Sequence, residues 1–101
     1  MKFKDGVVWT DMHPQVVQVL DAVDGVFKIH GVEAVITSGR DGKHGTNSLH
    51  YEGKAFDLRT WHVIDQVAKN LRKILGPDFD IVVESDHIHV ELDPTHDRQV
   101  G

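Results

Sequence analysis

The stretch FDIVVESDHIHVEL, residues 79–92, decides the fold. It contains two short runs in which apolar and polar residues alternate, Phe79 to Val83 and His87 to Leu92, separated by Glu84, Ser85 and Asp86. Alternation with a period of two marks a strand with one buried face, and two such runs joined this tightly predict an antiparallel pair. Along the second run Ile88, Val90 and Leu92 point one way, and His87, His89 and Glu91 point the other. The first face is core. The second gathers two imidazoles and a carboxylate, with Asp86 and Glu84 just upstream, and such a set is costly to hold unless water or a cation meets it.

Upstream of this pair, Trp61 to Leu75 reads as a helix with Thr60 as its cap. Ile64, Val67, Ala68, Leu71 and Ile74 lie on one face, and Gly76-Pro77 supplies the stop. Asp11 to His30 reads as a second helix, with Asp11 capping, Pro14 in the first turn and Val16, Val19, Leu20, Val23, Val26 and Phe27 at helical spacing before Gly31. The β-branched run Val32 to Thr37 predicts a strand that empties into an exposed, glycine-bearing loop over 39–48. The resulting order predicts an α+β domain: two principal helices and a small, mainly antiparallel sheet. At 101 residues the chain suits one domain over 1–101, with a core from about 7 to 93 and a polar tail over 94–101.

Composition narrows the function classes. The formal charge is −5 and the lysines and arginines are scattered, so there is no electrostatic footprint for nucleic acid. No segment approaches the roughly 20 apolar residues that span a bilayer. Without an apolar run near Met1 the chain is expected to be soluble and cytoplasmic as synthesised, and monomeric. The absence of cysteine rules out a thiolate metal site and restricts ligands to imidazole and carboxylate.

Eight histidines is a high count for this length, and those that lie beside acids carry the chemistry. In SLHYEGKAFD, residues 48–57, His50 and Asp57 stand seven apart, which places them on opposite faces of a flat strand. They converge only if the chain turns between them, and Gly53 is the residue that tolerates the left-handed backbone such a turn needs. Ala55 leaves room beside the site, while Phe56 and Leu58 can bury the other face. Two histidines and one carboxylate make three protein ligands, the count of a catalytic zinc that leaves its fourth position to water, whereas structural sites are closed by four. Zinc lowers the pKa of such a water to about 7, and a nearby carboxylate, Asp86 or Glu84, could take the proton.

From Ile36 to Leu92 the sequence resembles the LAS superfamily of zinc peptidases: D-Ala-D-Ala carboxypeptidases and dipeptidases, phage L-alanyl-D-glutamate endolysins, and the hedgehog signalling domain. Their pattern serine, x, histidine, x, x, glycine, x, alanine, x, aspartate is met by Ser48 to Asp57, and their closing HxH motif by His87-Ile88-His89. The resemblance implies a hedgehog/D,D-peptidase-like fold and makes His50, Asp57 and His89 the ligands of one Zn2+. It makes Asp86, three residues before the last ligand, the general base with Glu84 as its rival, and His87 an imidazole that supports the transition state. Thr37-Ser38-Gly39-Arg40 resembles the family's serine-glycine-tyrosine-arginine entry, with the tyrosine missing, and the resemblance implies Arg40 as a substrate or oxyanion contact.

The implied activity is hydrolysis of an amide bond in peptidoglycan stem peptide, as in a minimal phage or prophage endolysin that reaches the wall by lysis or a pore, or in a cytoplasmic D,D-dipeptidase. The alternative is a zinc-stabilised, hedgehog-like binding module without turnover. His44 is expected to face solvent from its loop, and His13, His30, His62 and His96 to be helix-end, surface or tail residues. Trp9 and Trp61 are expected to anchor the packing.

Overall fold

A computed structural model of the chain describes residues 1–41, 50–62 and 64–94. Its order is β1 (Lys2–Phe3), α1 (Pro14–Gln18), α2 (Leu20–Ile29), β2 (Val35–Ser38), β3 (Ala55–Arg59), α3 (Ile64–Leu75), β4 (Phe79–Val83) and β5 (His87–Leu92). The five strands form one mixed sheet in the order β1-β2-β3-β5-β4, parallel between β1 and β2 and antiparallel at the other three pairings. The fold is therefore α+β. Ser48, His44, His96 and the tail beyond Pro94, all of which carried sequence expectations, lie outside the described residues.

One face of the sheet carries the core. Phe56 and Leu58 of β3, Ile88, Val90 and Leu92 of β5, and Ile36 of β2 pack with Val23, Val26 and Phe27 of α2 and Val67, Ala68 and Leu71 of α3. Each of these side chains removed from water contributes on the order of 1.5–3 kcal/mol for the larger residues. The strictly alternating burial along β5 follows the apolar and polar alternation of its sequence. Arg72 of α3 donates from Nε and Nη2 to the Ile81 carbonyl, at 3.3 and 2.9 Å, and so ties the helix to β4.

Four expectations about the helices are corrected. The helix expected over 11–30 is two helices that meet at Val19 (φ −89°, ψ −4°), whose N–H reaches back to the Val16 carbonyl at 3.4 Å. The first segment is rich in valine, and β-branched side chains lower helix propensity, so a short turn with only Val16 buried replaces a full helix. Asp11 does not cap it: His13 does, its Nδ1 accepting from the Gln15 N–H at 3.2 Å, while Asp11 takes a left-handed φ of 55° in the approach to Gly53. Helix α3 begins at Ile64, not Trp61, so Thr60 is not its cap. Trp61 instead donates from Nε1 to the Glu33 carbonyl at 2.8 Å, which holds this segment extended past β3. Strand β1, both of whose residues are exposed, extends the ordered sheet ahead of the expected core boundary near residue 7.

Trp9 packs as expected, edge-on against Phe3 and Phe56 with ring centroids 5.2 and 5.6 Å away. His30 and His62 also lie away from the sheet's polar face. His30 Nε2 accepts from Asn70 at 2.8 Å at the α2 to α3 contact, and His62 is exposed.

Candidate metal centre

The site grows from the register of β3 and β5 and from one turn. Asp57 pairs with His89 and Arg59 with His87, so the residues that alternate with Phe56, Leu58, Ile88 and Val90 share the sheet's other face. His50 reaches this face from the turn before β3. The Gly53 N–H bonds to the His50 carbonyl at 3.1 Å, and Gly53 adopts φ 72°, as the sequence required for convergence. A side chain at Gly53 would also sit 2.7 Å from the Asp11 carbonyl, against which the turn packs.

His50 Nε2, His89 Nδ1 and Asp57 Oδ1 converge. The separations are 3.2 Å between the imidazoles, 3.3 Å from His50 to Asp57 and 3.1 Å from His89 to Asp57. His50 and Asp57 are buried, at 2% and 7% exposure, and His89 is partly buried.

Hydrogen bonds on the far side of each ring fix which nitrogen faces inward. His50 Nδ1 lies 2.8 Å from the Gly39 carbonyl, which can only accept, so Nδ1 carries the proton and Nε2 presents a lone pair. His89 Nε2 donates to the Glu91 carboxylate at 2.7 Å, which leaves Nδ1 facing inward. With both imidazoles neutral, two lone pairs and a carboxylate oxygen thus point at one another. A proton on His89 shared with Asp57, or a metal ion, would satisfy this arrangement, and these residues could hold a metal ion.

The charges agree. Burial works against the Asp57 carboxylate, yet hydrogen bonds from His50 and His89 and the charges of His50 and His87 outweigh it and hold its carboxyl far below the usual range. At His89 the hydrogen bond to Asp57, aided by Glu91, raises the imidazole above its ordinary value against the downward pull of burial.

The loop that supports His50 is itself clamped. The Asp41 carboxylate accepts from the N–H groups of Gly39 and Val8, both at 2.8 Å, and the Arg40 N–H bonds to the Val8 carbonyl at 2.9 Å. A Cβ at Gly39 would lie 2.4 Å from that Val8 carbonyl, so only glycine brings the chain close enough to present its own carbonyl to His50. Between Ile36 and Ser38 the β2 register slips against β3, a bulge of the kind that often adjoins a site.

Beside the three convergent atoms opens a cavity of about 340 Å3 lined by Lys4, Thr37, Asp57, Arg59, Asp86 and His87. His87 Nε2 lies 3.8 Å from Asp57 Oδ1, and its Nδ1 is held by the Asp86 carboxylate at 2.6 Å. Asp86, whose side chain is 84% exposed, therefore stands at the rim. Glu84, the rival base, does not line the cavity: it is exposed in the hairpin turn, where its N–H closes the ladder onto the His87 carbonyl at 2.8 Å.

Arg40 also falls outside the lining residues, and its guanidinium turns to the Asp11 carbonyl at 3.4 Å. The cationic side chains at the cavity are Arg59 and Lys4, which the sequence reading did not single out. Arg59 was findable, since it stands two residues after Asp57 on the same strand face. Glu91 was placed on the loaded face, though its hold on His89 was not foreseen.

No helix among the described residues is long and apolar enough to cross a membrane. No protein-family model and no curated protein matches the chain.

Proposed function

We propose that the protein is a zinc metallopeptidase of the hedgehog/D,D-peptidase-like kind, hydrolysing an amide bond in peptidoglycan stem peptide, with His50, Asp57 and His89 as the zinc ligands. The observation that carries the zinc reading is the triangle of ligand atoms. Tetrahedral zinc with bonds of about 2.0–2.2 Å requires its ligands to stand about 3.3–3.5 Å apart, and the three atoms stand 3.1 to 3.3 Å apart before any ion draws them to its own distances. Three protein ligands beside an open cavity match a catalytic site better than a closed structural one. The choice of a wall peptide rests on the resemblance of Ser48–Asp57 and His87–His89 to the zinc peptidases.

Zinc supplies Lewis acidity, polarising a carbonyl and bringing the pKa of water down to about 7. The chain's own residues do the rest. Gly39 and Glu91 hold the imidazoles in the ligating tautomer. Asp86 stands at the cavity within bonding reach of His87, where its carboxylate can take the proton of an attacking water and pass it to the leaving amine. That same contact fixes the His87 ring so that Nε2 faces the centre, where it can donate to the oxygen on which negative charge develops.

The test is a digest of purified cell wall by zinc-loaded protein. New N-terminal D-glutamate identifies cleavage of the L-Ala-D-Glu bond and free D-alanine identifies a D,D-peptidase; release of neither refutes the proposal. Asp86→Asn is expected to lower turnover by roughly 10²- to 10⁴-fold with metal content unchanged, and Glu84→Gln to leave both unchanged. The second reading, a zinc-stabilised binding module, draws on the exposure of Asp86 and its engagement with His87. It gains if Asp86→Ala and Glu84→Ala each leave all activity and zinc binding as they were.

A further inference from the structure

The cavity beside the metal ligands is lined by opposite charges that do not neutralise one another. Asp57 faces the two ligand histidines and Asp86 is held by His87. Arg59 and Lys4 line the same cavity, and neither side chain forms a hydrogen bond or ion pair with any of the described residues. This is unusual for an arginine two positions from a buried aspartate on one strand face, since a guanidinium is built to take a carboxylate on two donors at once.

Arg59 is held in another way. Its guanidinium lies over the Trp61 ring, 5.6 Å from the centroid, and the indole is itself fixed by its bond to the Glu33 carbonyl at 2.8 Å. Lys4 is anchored by its backbone, its N–H bonding to the Ile36 carbonyl at 2.8 Å, where β2 leads into the bulge at Thr37. Two cations, Lys4 just after β1 and Arg59 at the end of β3, with Thr37 also in the lining, are thus held at one cavity that Asp57 of the metal centre lines as well.

We infer that Lys4 and Arg59, with Thr37, form a carboxylate-binding wall, so that the ligand of this site carries a carboxylate close to the group that meets the metal centre. The inference rests on the peptidase reading and deepens it: the scissile amide has a free carboxylate beside it, and that charge fixes which way the peptide lies. Arg59 takes the carboxylate on its guanidinium fork, Lys4 adds a second positive charge, and Trp61 is a positioning residue that keeps the guanidinium in place.

The test compares binding of N-acetyl-Ala-Ala, with its free C-terminal carboxylate, and its C-terminal amide to the zinc-loaded full chain, by NMR titration or calorimetry. It uses the wild type, Arg59→Gln with Lys4→Gln, and Trp61→Leu, in both D and L series. A charge-assisted contact predicts that the wild type prefers the acid to the amide by about tenfold or more in at least one series. The double variant is expected to lose most of that preference at unchanged zinc content, and Trp61→Leu part of it.

A preference that persists in the double variant would mean that the metal takes the carboxylate, and would overturn the wall, as would equal binding of acid and amide by the wild type. Because the readout is binding, a protein that prefers the acid through these residues yet releases nothing from cell wall refutes the hydrolase reading and leaves the wall standing.

Discussion

Residues 56, 58, 88 and 90 and residues 57, 59, 87 and 89 alternate along the same two strands, yet they obey different physics. Phe56, Leu58, Ile88 and Val90 are wholly buried under α2 and α3. Asp57, Arg59, His87 and His89 stand on the opposite face, where no helix among the described residues covers them and a cavity opens. The first set stabilises by leaving water and is indifferent to pH and ions. The second is a set of mutually oriented donors and acceptors that could hold a metal ion. Fold and site therefore share a scaffold but not an energy source, and each can be broken separately.

The largest effect should come from the apolar face. Leu58→Ala is expected to cost about 2–5 kcal/mol, a large part of the 5–15 kcal/mol that holds a typical domain, and urea unfolding of the metal-free protein reads it. Loss of metal binding without that loss of stability would break the division between the faces.

Gly39→Ala should come next, because the added methyl meets the Val8 carbonyl and pushes the Gly39 carbonyl off His50. The expected cost is about 1–3 kcal/mol, accompanied by weaker metal binding, since Gly39 belongs to both the fold and the site. Glu91→Gln sharpens the comparison from the other side. It should weaken metal affinity about 10- to 100-fold, measured by competition with a chelator, and leave the urea midpoint of the metal-free protein nearly unchanged.

The smallest effect is in pH, and its sign differs between the two forms. His89 is raised above its ordinary 6.5, so in the metal-free protein its stabilising contribution is present below about 6.5 and is lost as pH rises through the raised value. Asp57 is lowered, so its contribution is present above about 4 and is lost only in strong acid. Metal uptake runs the other way, because the ligand must shed its proton, so affinity rises as pH passes the raised value of His89. Thermal unfolding with and without zinc across pH 5 to 9, roughly the range over which imidazole titrates, should show the two forms diverging toward alkaline pH.

What the sequence made legible was what local periodicity encodes. The alternation in residues 79–92 gave the hairpin and its loaded face, and Gly53 marked the turn that joins His50 to Asp57. What it concealed depends on contacts between distant segments. Asp41 clamps Val8 from 33 residues away, and β1 is two exposed residues with no pattern of their own. The break at Val19 leaves the apolar spacing almost undisturbed, so periodicity reads straight through it. Likewise Arg40 belongs to a recognisable motif, whereas Arg59 reaches the cavity through the pairing of β3 and Lys4 through its backbone bond to Ile36.

The most direct test of the metal centre is elemental analysis of protein purified without an affinity tag, comparing wild type with His50→Ala and Asp57→Ala under conditions in which circular dichroism shows all three folded. Ligation by His50, Asp57 and His89 predicts about one zinc per wild-type chain and close to none in either variant. A full complement of metal in either variant would contradict it.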